Sequence, residues 1–271
     1  MRRVFQLCLA STLASVLLAA CATSPTGRNQ LSFFGHDRLA AMGEQSFQQI
    51  KQKTPTDASA ADNRFVECVA GAITSVPGLD QAAQVQSWDV VVFKSDQVNA
   101  FALPGGHIGV YTGLLNVAKN GDQLAAVIGH EVGHVIADHP NERMSQQYAT
   151  QGGLTALSAF LGGGGGGAGS QAIMSALGVG AQVGILLPFS RAQESEADTI
   201  GLELMARAGF DPRAAVQLWQ NMSAASNGQK PSEFMSTHPS NEHRIQALES
   251  HMNQALAIYQ QTSNRPSCRH P

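Results

Sequence analysis

His130, Glu131 and His134 stand in the pattern H-E-x-x-H. On a helix, residues i and i+4 lie one above the other on one face, which lets two imidazole nitrogens share a single zinc ion. Glu131 lies beside them, placed to take the proton of a water activated there. A catalytic zinc usually keeps three protein ligands and one open position, so a third ligand is needed. His139 is nearest in sequence, but on a continuing helix it lies about 140° round from His134 and points elsewhere. The longer pattern that draws a third histidine from this neighbourhood needs glycine at position 137 and histidine at 140, where this chain has Ala137 and Pro140. A carboxylate further on offers an alternative. Ser190 and Gln193 form a capping box that starts a helix. On its wheel Glu194, Ala197, Asp198 and Gly201 share a face, with Glu196, Thr199 and Glu203 on the side that looks solvated. Glu194 is the ligand candidate, and Asp198 suits accepting the outer N–H of a ligating histidine.

These side chains need two helices that pack closely. Placing residues 100° apart sorts the first into three faces: His130, Glu131, His134 and Asp138 with Val127; an apolar face from Leu124 to Ile136; and a stripe of Ala126, Gly129, Gly133 and Ala137. Ala197 and Gly201 fit that stripe. The helix is expected to begin near Asp122 as a cap and to run towards His139, which Pro140 biases away from helical geometry. Upstream, the segment from Trp88 to Phe93 is β-branched and nearly continuous, and reads as a well-buried strand. Residues 98–103 and 107–112 flank Pro104, Gly105 and Gly106, a type II turn composition, so they are expected to pair. A sheet edge beside a zinc cleft suits an extended peptide added as a strand. Amphipathic helical runs also cover the residues after Asp37, from Phe65 to Val76, and from Ile245 to Tyr259.

The whole chain sets broader limits. With 271 residues and 43% hydrophobic content it can bury a full core, and 6% aromatics make that core aliphatic, as in helix-dominated folds. A net charge of -3 leaves no basic footprint, which argues against nucleic acid as a partner. Arg2 and Arg3 precede an apolar run from Val4 to Ala20, which reads as an export signal; the rival reading is an uncleaved membrane helix, since the run is nearly long enough to span. Its ending at Leu18-Ala19-Ala20-Cys21 resembles the bacterial lipoprotein signal, which implies cleavage before Cys21, acylation of that residue and a lipid anchor in the membrane. Ala22 after the cysteine then implies the outer membrane, with the domain facing the periplasm. Removal of Cys8 and lipidation of Cys21 leave Cys68 and Cys268 as disulfide candidates, although either could stay free. Residues 21–35 read as a lipid-proximal tether. The six glycines from Gly162 to Gly167 read as a flexible joint, within a flexible segment 162–169, and Ile173 to Leu187 as a packed or cleft-covering helix.

Together H-E-x-x-H, the later Ser190-Arg191-x-x-Glu194-x-x-Ala197-Asp198, the upstream run from Asn99 to Gly106 and the downstream His238-Pro239 with Arg244 resemble the zinc metallopeptidase family of HtpX and the CAAX prenyl proteases, and most of all its periplasmic lipoprotein members. The resemblance covers roughly residues 40 to 250. It implies a zincin-like metallopeptidase fold, a mainly helical α+β domain over residues 36–262 with a small β-sheet over the H-E-x-x-H helix. It also implies one Zn2+ per chain on His130, His134 and Glu194, with Glu131 as base. His238 would lie near the metal, stabilising an oxyanion or capping the metal at rest, and Arg244 would pair with Asp198. Asn99, Ala100 and Phe101 would align an extended protein or peptide substrate. Residues 1–20 would be the signal peptide and 263–271 a C-terminal tail. The function implied is an endopeptidase of the bacterial cell envelope acting on unfolded or misassembled proteins. The alternative is a latent or non-catalytic assembly factor that binds outer-membrane proteins through the same cleft. Oligomeric state is not legible.

Overall fold

The computed structural model of the chain describes residues 21–160, 188–225, 233–238 and 242–271. The segments expected as a signal peptide (1–20), as a glycine-rich joint (162–169) and as a packed helix (Ile173 to Leu187) lie outside them. The segment expected as a tether folds instead: β1 (Cys21–Thr23) and β2 (Asn29–Leu31) pair antiparallel, with Cys21 opposite Leu31. Ser, Thr, Pro and Gly, which suggested a linker, are here turn residues, and Gly27 takes φ +90°.

Two amphipathic helices follow, α1 (His36–Lys53) and α2 (Ala60–Thr74), then a short α3 (Leu79–Ala83). Ser59 caps α2 by accepting from the Asp62 amide. The sheet comprises β3 (Asp89–Phe93), β4 (Ala100–Leu103) and β5 (His107–Tyr111) in the order β3-β5-β4, with β3 parallel and β4 antiparallel to β5. The expected pairing across Pro104 to Gly106 is therefore present, with Leu103 opposite His107 and Gly105 at φ +92°. β3 is an edge strand, and Asp89 is exposed while Val90 and Val91 are only half-buried, so the expectation of a well-buried strand is corrected. Its apolar run packs on α2 with one face and joins the smaller α1 cluster with the other.

Alternation along the strands divides the core. Val92, Ala100, Ala102, Ile108 and Val110 join the main cluster with α2 and the helices below, whereas Phe93, Phe101, Leu103 and Tyr111 pack on Phe47 of α1. Gly109 leaves room for Phe101, whose ring would lie 2.2 Å from an added Cβ. After the one-turn α4 (Thr112–Leu115) comes α5 (Gly121–Ile136), buried on nearly every side. Then follow α6 (His139–Phe160), α7 (Arg191–Arg207), α8 (Ala214–Ala225), α9 (Glu233–Thr237) and α10 (Glu242–Gln261). A Cys68–Cys268 disulfide, with Cα atoms 5.6 Å apart, fastens the tail to α2. The result is the expected mainly helical α+β domain with a small sheet over the H-E-x-x-H helix. Among the described residues no helix is long and apolar enough to cross a membrane.

Candidate metal centre

α5 begins two residues earlier than a cap at Asp122 would place it. Asn120 is the cap, accepting from the Gln123 amide at 2.9 Å, because Asp122 is engaged by the Asp211 amide at 2.9 Å. α7 starts where expected, with the Ser190–Gln193 capping box complete. The two helices touch along their small residues. A Cβ on Gly129 would lie 2.9 Å from the Gly201 carbonyl oxygen, one on Gly133 2.9 Å from that of Ala197, and one on Gly201 2.7 Å from the His130 amide nitrogen. Only glycine permits this approach, and the approach carries Glu194 and Asp198 to the histidines.

His130, His134, Glu194 and His238 form one buried cluster whose ligand atoms all lie within 4.8 Å of one another. His130 Nε2 is 3.0 Å from His134 Nε2 and 3.2 Å from His238 Nδ1. Glu194 Oε1 is 3.4 Å from His134 Nε2 and 3.0 Å from His238 Nδ1. A tetrahedral ion with bonds of about 2.0–2.1 Å separates its donors by about 3.3–3.4 Å, so three imidazoles and one carboxylate oxygen stand at nearly the edges such an ion requires. Their chemistry, neutral nitrogen and anionic oxygen, also fits a borderline divalent metal. The other Glu194 oxygen pairs with Arg244 Nη1 at 2.5 Å. Glu131 is 3% exposed, and its Oε1 has no hydrogen-bond partner among the described residues, lying 3.5 Å from His238 Nε2.

Burial and pairing set the charges. Burial pushes the Glu131 carboxyl up, against the pull of His238 and His130. It pushes the His134 imidazole well below its ordinary value, which keeps the ring neutral with a lone pair to offer. Burial also opposes ionisation of Glu194 and Asp198, but the Arg244 guanidinium beside both, with His238 at Glu194 and His130 at Asp198, holds each below the usual carboxylate range. Asp198 Oδ1 lies 2.9 Å from His130 Nδ1 and 2.8 Å from Arg244 Nη2, and Arg244 itself sits 3.7 Å over the Trp219 ring. Phe189 stacks on His134 with centroids 3.7 Å apart, and beyond it Arg143 is lowered to about 10 by burial.

The structure thus brings His130, Glu131, His134, Glu194, Asp198, Arg244 and His238 together. His238 comes nearer than an oxyanion donor would need, with Nδ1 at the fourth corner. Asn99, Ala100 and Phe101 lie at and beside the start of β4, the edge strand next to α5, and the preceding Val98 carbonyl accepts from the Phe234 amide of α9 at 3.2 Å. Two readings are corrected. His139 does not point away: α5 stops at Ile136, Asp138 takes φ +54°, and α6 restarts at His139, so its Nδ1 lies 2.8 Å from His134 Nδ1. Pro140 near a helix start and an aspartate before it were the available signal for this break. Glu196 is not solvated, being 5% exposed beneath the hairpin. No wheel shows a contact with residues 170 positions away.

Comparison with known proteins agrees with this geometry. A model of peptidase family M48 matches residues 63–252. The chain is 39% identical over 187 residues to the mitochondrial metalloendopeptidase OMA1 of Schizosaccharomyces pombe, covering 68% of this chain and 51% of that protein. It is 31% identical over 264 residues to the mitochondrial metalloendopeptidase OMA1 of Homo sapiens, covering 91% and 48%. With the beta-barrel assembly-enhancing protease of Escherichia coli it shares 32% over 178 residues, covering 64% and 36%. The chain therefore spans about half or less of the length of these relatives. The expected location at the periplasmic face of the outer membrane is overturned: the relatives matched at 37–39% identity are proteins named as mitochondrial.

Proposed function

The chain belongs to the metallopeptidases of peptidase family M48, and from that premise we propose that it cuts internal peptide bonds of unfolded or misassembled proteins with one zinc ion at His130, His134 and Glu194. The observation that carries this reading is the four-donor cage with Glu131 beside it. A zinc ion held there would supply Lewis-acid polarisation of the scissile carbonyl and of the attacking water. Glu131 is the base: its Oε1, unpartnered among the described residues, takes a proton from water and returns it to the leaving amine, and burial raises its affinity for the proton it carries between the two transfers. Asp198 and Arg244 hold His130 and Glu194 in place. The outer edge of β4, which pairs with no further strand among the described residues, would align an extended substrate by strand addition.

In the arrangement described, His238 Nδ1 takes the fourth corner, which hydrolysis needs open. Release of His238, carried just after the short α9, is therefore part of the active form. The same closure supports a second reading, a latent or non-catalytic assembly factor that binds client proteins through this cleft. The name of the Escherichia coli relative, a beta-barrel assembly-enhancing protease, combines the two. The test is cleavage of unfolded casein by the purified chain with a zinc chelator and with Zn2+ restored. Cutting is expected to stop with the chelator and return with the metal; cutting that persists without metal contradicts the proposal.

A further inference from the structure

Asp198 supports His130 but does not reach His134, and a second line of hydrogen bonds begins there. With Nε2 of His134 towards the centre, its Nδ1 lies 2.8 Å from Nδ1 of His139, and His139 Nε2 lies 3.1 Å from Glu196 Oε2. Arg28 Nε donates to that oxygen at 3.0 Å, and Thr26 Oγ1 donates to Glu196 Oε1 at 2.6 Å. The Arg28 guanidinium also clamps Glu142 at 2.6 and 2.7 Å, and Glu142 accepts from Gln193 at 2.8 Å. His139, Glu142 and Glu196 are 0%, 3% and 5% exposed, so water is kept from the bonds among the rings and the Glu196 carboxylate and reaches the line only at its Arg28 and Thr26 end, where the Arg28 side chain is 27% exposed.

One placement of protons satisfies the whole line. A neutral imidazole whose Nε2 lone pair faces a metal carries its proton on Nδ1. His139 Nδ1 must then accept, which places the His139 proton on Nε2, where it is donated to Glu196. The carboxylate only accepts, from His139, Arg28 and Thr26 together. Every donor has an acceptor and no ring nitrogen is left facing its like.

We propose that His139 and Glu196, anchored by Arg28 of the N-terminal hairpin, are positioning residues that fix the tautomer and orientation of His134 as a ligand. The proposal rests on the reading of His134 as a metal ligand. Ligating histidines usually donate their outer N–H to a carboxylate or carbonyl; here an imidazole is interposed between ligand and carboxylate. The hairpin and the starts of α6 and α7 thereby act as one support behind the metal.

The test is Zn2+ affinity of the full-length chain, measured by competition with a chromophoric chelator, with folding followed by circular dichroism. A single site in the native chain that His134→Ala abolishes establishes the ligand. His139→Leu is then expected to bind about 10–100-fold more weakly. His139→Asn, whose Oδ1 can still accept from His134, is expected to recover most of that loss. Native affinity in folded His139→Leu, or an Asn variant no better than the Leu variant, overturns the proposal and leaves the metal site standing. A native chain that binds no zinc, or His134→Ala that binds as the native chain does, overturns the ligand assignment and the proposal with it. Should His139→Leu fail to fold, Glu196→Gln carries the test, because it leaves both rings in place: severalfold weaker binding supports the proposal and native affinity overturns it.

Discussion

At the residue scale, each histidine of the H-E-x-x-H motif divides its two ring nitrogens between the centre and a support, Asp198 for His130 and His139 for His134. Arg244 is the counter-charge for the carboxylates, buried with Asp198 and Glu194. Removing one member of such a group leaves uncompensated charge in the interior, so Arg244→Gln is expected to destabilise the metal-free protein by about 3–5 kcal/mol at pH 7. The pH dependence has a definite sign. Burial opposes ionisation of Asp198, but Arg244 and His130 hold its folded pKa below the ordinary 3.8. The stability it contributes is therefore present above that value and lost as pH falls through the lower folded one. Urea unfolding should show the gap between native and variant widest near neutrality and narrowing in strong acid; a gap independent of pH contradicts the pairing. His130, His134 and Glu194 were legible in the sequence because helical spacing and a capping box fix directions over one or two turns. His139 was not, since a single residue at φ +54°, Asp138, reverses the direction that spacing predicts.

At the scale of elements, the site depends on how closely α5 and α7 approach. Adding a methyl group at Gly201 gains about 1 kcal/mol of helix propensity, but the Cβ would meet the His130 amide at 2.7 Å, and backbone cannot move aside cheaply. Gly201→Ala is expected to cost about 1–3 kcal/mol net and to weaken zinc binding as the helices part. Gly71→Ala in α2, where nothing lies within 4 Å, is the control and should be neutral or stabilising by up to about 1 kcal/mol. Thermal melts and chelator competition on both variants decide this; equal behaviour would show that the contact does not set the site. The small-residue stripe was readable because glycine in a helix is unfavourable without a reason. The burial of Glu196 was not, because its partners come from a hairpin whose Ser, Thr, Pro and Gly residues read equally well as a linker.

At the scale of the whole molecule, both ends of the described chain are used to brace α5. The N-terminal hairpin reaches α6 and α7 through Arg28, and the tail, fastened by the Cys68–Cys268 disulfide, lies against the start of α5, where Gly121 faces the Cys268 carbonyl oxygen. Composition indicated a helix-dominated aliphatic core and local patterns indicated most elements. These long-range closures have no sequence period and emerge only in three dimensions. The most direct measurement is casein cleavage by the full chain beside Glu131→Gln, with zinc content determined in both. If Glu131 is the base, the native protein cuts, the variant retains one zinc per chain, and its cutting falls by at least about 10²-fold. Equal cutting by the two zinc-loaded proteins would contradict the central claim.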